Sequence, residues 1–148
     1  MKSKSFPIVL MLLFYSFLAA CSSQPKYSRS EEAIARRAVD FAYLYYNQQF
    51  TEAVGLATPE SRPWIAFAAS VLTADDLVVI NAEDEASHAE TDAVEQTSDT
   101  TATVQLTVSR VFVIDSIGQP GHFTDRQQVS LQLVRRANNW LVSLSHGL

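Results

Sequence analysis

Tyr43 and Tyr46 lie three residues apart, and on a helix that spacing sets two phenols along one side of an apolar stripe. They could hold a ligand's polar group at a cavity rim. The same spacing also serves core packing with a wet hydroxyl. Arg110 shares the parity of Val104, Leu106 and Val108, so an unbroken pleat points its guanidinium inward, where it could hold a carboxylate bidentately. A bulge there would turn it outward and hand the core face to Val111 and Val113. Asp40 and Asp115 are the carboxylates that could act as a base beside a tyrosine, as in an isomerase or cyclase. Burial would raise such a base's pKa, and sequence does not show it.

Other chemistry is sparse. His88, His122 and His146 have no partner at metal-ligand or catalytic spacing. The acidic stretch around His88, residues 83–90, contains no glycine, whereas calcium loops place oxygen ligands at fixed offsets around one. It reads as a solvated hairpin. Serines abound without a Gly-x-Ser-x-Gly elbow, and no glycine-rich phosphate loop occurs. The expectation is a domain without catalytic residue, metal or cofactor.

The single cysteine, Cys21, closes a short apolar run that follows Lys2 and Lys4. A positive start, an apolar stretch from Phe6 to Ala20 and small residues before the cysteine are secretory-signal architecture. The run stops short of the roughly 20 apolar residues of a membrane span. Leu18-Ala19-Ala20-Cys21 resembles the lipobox of bacterial lipoproteins. That resemblance implies cleavage before Cys21, a diacylglyceryl thioether on its sulfur and an acylated new amine. More than one acyl chain makes anchoring stable. Ser22 after the cysteine implies, in that family, an outer-membrane destination facing the periplasm in a diderm host.

Removing residues 1–20 takes Lys2 and Lys4 with it and leaves 128 residues with 9 basic against 16 acidic side chains, a net charge of −7. One compact domain follows. Negative charge argues against nucleic acid, which needs clustered Lys and Arg. With Cys21 lipidated, disulfides and thiolate chemistry are excluded. The expected organisation is a signal peptide over 1–20, a lipidated tether over 21–29 and one domain over 30–148.

The elements that position these residues follow from periodicity. Ile34, Ala38, Phe41, Ala42 and Tyr45 predict an amphipathic helix capped by Ser30 and running to about Asn47. Short helices are predicted from Thr51 and from Pro59 to about Leu72, with Trp64, Phe67 and Val71 plugging the space beneath the third helix. After Asp75-Asp76 the period shifts toward two. Strands are expected over 77–82, 89–97 and 101–113, then across Val129, Leu131 and Leu133, with a last hairpin turning at Asn138-Asn139 into Trp140. Helices first and an antiparallel meander afterwards is an α+β pattern, with four to five strands expected.

That order, with Ala57-Thr58-Pro59-Glu60-Ser61 in the helical pair and Asn138-Asn139-Trp140-Leu141-Val142 in the last hairpin, resembles the cone-shaped α+β domains of the nuclear-transport-factor-like superfamily. Closest are small lipoproteins carrying a domain of unknown function. The resemblance implies a curved sheet around the long helix and a pocket at the open end. It brings no catalytic residue across, because the inward rows are aliphatic. The resulting expectation is an envelope lipoprotein, membrane-anchored through Cys21, whose domain binds a small apolar or carboxylate ligand or a protein partner. The alternatives are the isomerase- or cyclase-like enzyme above and a structural subunit of an envelope complex.

Overall fold

The computed structural model describes residues 26–148; the expected signal peptide, Cys21 and most of the expected tether lie outside the described residues. The chain is α+β, as its pattern predicts. Helix α1 (Arg29–Tyr46), α2 (Phe50–Val54), a 3-10 turn (Pro59–Ser61), α3 (Arg62–Ser70) and α4 (Ala74–Asn81) precede four strands, β1 (His88–Gln96), β2 (Thr101–Val113), β3 (His122–Arg136) and β4 (Asn139–Ser143). The strands form one antiparallel sheet in the order β1-β2-β3-β4.

Helix α1 starts two residues earlier than predicted, at Arg29. Ser28, not Ser30, caps it: the Ser28 hydroxyl accepts from the Glu31 amide while the Glu31 carboxylate accepts from the Ser28 amide. This reciprocal box satisfies two otherwise orphaned donors. The helix lays Ile34, Ala38, Phe41 and Ala42, all fully buried, against the sheet rows Val104, Leu106, Val108 and Leu131, Leu133. The inward parity predicted for β2 and β3 is the one observed. At this depth, truncating Phe41 to alanine costs about 3–5 kcal/mol.

The strand expected over 77–82 is helix α4. Its β-branched run favours a strand, but the Thr73 hydroxyl accepts from the Asp76 amide and the Asp76 carboxylate accepts from the Thr73 amide. Asp75 and Asp76 open a helix there instead of closing one. The sheet therefore has four strands, and three short α-helices accompany α1.

The open edge of β4 is covered by the segment before α3. Thr58 N–H donates to Val142 C=O and Val142 N–H to Leu56 C=O. Below them the buried Ser61 hydroxyl accepts from the Leu144 amide at 2.8 Å and pairs with the Thr58 hydroxyl at 2.8 Å. Covering an edge in this way removes a template for intermolecular pairing. The β3–β4 turn is tight, with Ala137 and Asn138 both left-handed (φ 47 and 67), the geometry of a type I′ hairpin.

Candidate functional site

The C-terminal end of α1 builds the site. Asn47 caps the helix and ties it to the loop before β1: its side-chain amide donates to Ser87 C=O and its side-chain oxygen accepts the Ser87 amide. That clamp fixes Tyr45 and Tyr46 in the last turn. Tyr45 stacks on Phe41 and meets Tyr46 and Phe50 edge to face, with centroids 5.3 and 5.5 Å away. Offset and edge contacts of this kind lock aromatic rings beyond what burial alone does.

Beside this cluster lies a cavity of about 330 Å³, near the lower end of the roughly 300–1,000 Å³ common for small-molecule sites. Its apolar walls include Phe50 of α2, Phe67 of α3 and Val71 just after it, Phe112 and Val113 of β2 and Ile117 of the following loop. A second cavity, of about 350 Å³, lies against β3 and the C-terminal segment. Residues with polar side chains that line the first cavity include Tyr46, Gln127 and Asp115. Among the described residues, no Lys or Arg lines either cavity.

Tyr46 is the distinctive member of this set. It is 6% exposed, it lines both cavities, and its hydroxyl is closed to solvent without a hydrogen-bond partner. A buried donor left unmade costs about 1–3 kcal/mol. Burial, with the neighbouring Tyr45 hydroxyl adding to it, pushes the Tyr46 phenol well above the ordinary tyrosine value. It is a neutral donor at any physiological pH.

Of the two tyrosines singled out in the sequence, only Tyr46 reaches the cavity. Tyr43 is 42% exposed and lines neither cavity, because three residues on a helix advance about 300° and carry it past the buried stripe. Arg110 is also absent from the lining. It sits at φ 57, in the left-handed region, and the inward face of β2 changes there from Val108 to Val111, both buried. The pairing of β2 with β3 keeps its register across this point, Ser109 opposite Arg126 and Val111 opposite Thr124. The guanidinium is engaged by Glu83 and, at 3.3 Å, by Glu85. No carboxylate clamp exists at the cavity mouth.

Asp40 is exposed and away from both cavities. Asp115 lines the first cavity, but its carboxylate is largely in solvent, 3.7 Å from His122. Trp64 and Phe67 do not plug the space under α3; they are 37% and 50% exposed, and Phe67 serves as a cavity wall. Gln127, Phe112 and Leu148 complete the site without any motif to mark them. No group of three or more potential metal ligands occurs among the described residues.

No family model and no curated protein matches the sequence. Among solved structures the chain is similar to a candidate scytalone dehydratase from Novosphingobium aromaticivorans DSM 12444, with 16% identity, 76% of this chain and 78% of that one covered, and a TM-score of 0.49. It is similar to a candidate NTF2-like transpeptidase from Campylobacter jejuni, at 12% identity over 80% of this chain and 100% of that one, with a TM-score of 0.44. A third, an NTF2-like protein involved in plasmid conjugation, is 16% identical over 80% of this chain and 47% of that one, with a TM-score of 0.41. Likenesses at this level assign no activity. The α+β architecture stands on the elements, their order and their register.

Proposed function

We propose that this domain is a non-catalytic binding module for a small, neutral, largely apolar molecule, carried at the cell envelope by a lipid on Cys21. The observation that carries the binding reading is the aromatic and aliphatic cavity at the end of α1, lined by Tyr46, whose buried hydroxyl has no partner. Apolar walls with a few polar groups are the usual make-up of small-molecule sites. A carboxylate ligand fits less well than a neutral one, since Asp115 stands at the rim and no cation faces it. The anchor rests on Lys2, Lys4 and the Leu18-Ala19-Ala20-Cys21 run.

Native mass spectrometry of the chain isolated from its own host tests the binding reading. The expected result is a co-purifying neutral mass released by organic solvent. A ligand-free chain that also fails to take up apolar probes would overturn it.

One observation favours a second role, docking on an envelope partner. Trp64 and Phe67 of α3 and Leu77, Val78 and Val79 of α4 are exposed, and large apolar side chains left in water often mark an interaction face. Among the described residues no single helix is long and apolar enough to cross a membrane.

A further inference from the structure

The two cavities share four lining residues, Tyr46, Gln127, Gly147 and Leu148. Two of these belong to the C-terminal segment, which passes between the cavities. Its attachment is slight. Just before it, the Leu144 amide donates to the Ser61 hydroxyl. Beyond that bond, no backbone–backbone hydrogen bond joins residues 145–148 to another element among the described residues, and the Leu148 main chain bonds the Tyr45 phenol. His146 bonds only to the neighbouring Gly147 carbonyl, and nothing lies within 4 Å of the position a Gly147 side chain would take. Within the segment, Leu148 alone packs against the core cluster.

We infer that the two cavities are one binding site divided by residues 145–148, and that a neutral ligand bearing one hydrogen-bond acceptor fills it when this segment swings aside and gives the Tyr46 hydroxyl the partner it lacks. The inference rests on the binding function proposed above and names the ligand's polar group. Three observations converge on it. The segment is held by one leucine side chain and by one hydrogen bond between the Leu148 main chain and the Tyr45 phenol, so little must be broken to move it. Tyr46 lines both cavities and its buried hydroxyl is a donor with no acceptor, so an occupant with a carbonyl or ether oxygen gains a bond that the closed state does not make. The rim carries Asp115 and no cation, so an anionic group is disfavoured.

The test uses the full-length chain in phosphatidylcholine nanodiscs, with empty nanodiscs as the blank. Three probes of similar size are titrated: benzylacetone (a ketone), hydrocinnamate (a carboxylate) and butylbenzene (a hydrocarbon). Benzylacetone is expected to bind about tenfold more tightly than butylbenzene, the worth of one good neutral hydrogen bond, and hydrocinnamate more weakly than benzylacetone. Tyr46→Phe should abolish the preference for the ketone while leaving butylbenzene binding unchanged. Removal of residues 145–148 should tighten benzylacetone binding several-fold, because the competent state no longer has to be reached by displacing the segment. Leu148→Ala cuts the same contact with the backbone intact and should act in the same direction.

Equal binding of ketone and hydrocarbon, unaltered by Tyr46→Phe, would overturn the inference and leave the apolar site standing. Weaker binding after truncation and in Leu148→Ala would overturn it too, by making the segment a wall of the site. Failure of all three probes to bind would remove the binding function itself.

Discussion

The Asp76 carboxylate accepts the main-chain N–H of Gly121 at 2.9 Å, across 45 residues of sequence. Its other oxygen accepts the amide and the hydroxyl of Thr73 at 2.8 Å each. One side chain thus caps α4 and pins the chain just before β3, at the end of the loop whose residues 115–117 line the cavity. Thr73→Ala should cost about 1 kcal/mol, a normal N-cap loss. Hydrogen exchange should show that loss as faster exchange in α4, with the amides of β2 and β3 unaffected.

The same carboxylate sets a pH dependence. The Thr73 and Gly121 amides hold Asp76 below its ordinary value of 3.8, and hydrogen bonds from Ser28 lower Glu31 in the same sense. A folded-state pKa below the unfolded one contributes stability that is complete above the unfolded value and is lost as pH falls through the folded one. Stability should therefore be flat from neutrality to about pH 5 and decline below about pH 4. Asp76→Asn should reduce the acid-side slope, measured by urea unfolding at stepped pH.

Gly121 has a second constraint. A side chain placed there would run into the Phe112 ring, which itself sits edge-on to Phe123 at 5.3 Å. Gly121→Ala should destabilise by about 1–3 kcal/mol, the range for overpacking. Gly121→Ala combined with Phe112→Leu should recover part of that loss in chemical denaturation.

Arg110 distinguishes backbone from charge. Its ion pairs with Glu83 and Glu85 are half exposed, and pairs of that kind contribute about 0–1 kcal/mol. Its left-handed φ of 57 is harder to replace. Arg110→Gly should be close to neutral, whereas Arg110→Val should cost about 1–2 kcal/mol, since a β-branched side chain is tolerated far less in this region than an unbranched one. Paired thermal melts of the two variants check the contrast.

Tyr46→Phe should stabilise the empty protein by about 1 kcal/mol, because it deletes a buried hydroxyl that bonds to nothing. A higher denaturation midpoint with an unchanged slope is the expected signature. A lower midpoint would mean that the hydroxyl has a partner.

For the anchor, Cys21→Ser should abolish metabolic palmitate labelling and release the chain from membranes. Continued labelling would refute the lipobox reading.

Most of the fold was legible because buried strands write their parity plainly. Val104, Leu106 and Val108 share one buried face of the sheet with Val129, Leu131 and Leu133, Val104 beside Leu131 and Leu106 beside Val129, as their alternation requires. Helix α4 was misread because Val78, Val79 and Ile80 favour a strand locally, while the deciding signal was the short pattern of Thr73 and Asp76, whose side chains trade hydrogen bonds with the opposite backbones. The cavity was half legible. Tyr46 stood on a recognisable stripe, but Gln127, Phe112 and Leu148 meet it only through tertiary packing, which no local spacing encodes. Arg110 was open between two orientations because one left-handed residue inverts every side chain after it, and an arginine gives no hint of that.

That inversion divides the labour along a single strand. Residues up to Val108, with Val111 just past Arg110, belong to the core, and Phe112 and Val113 line the cavity. The molecule therefore has a natural seam at which selection can retune what is bound without renegotiating what keeps the chain folded. Variation in ligand preference should gather at Phe112 and Val113, and loss of foldedness at Val111 and at the buried positions before Arg110.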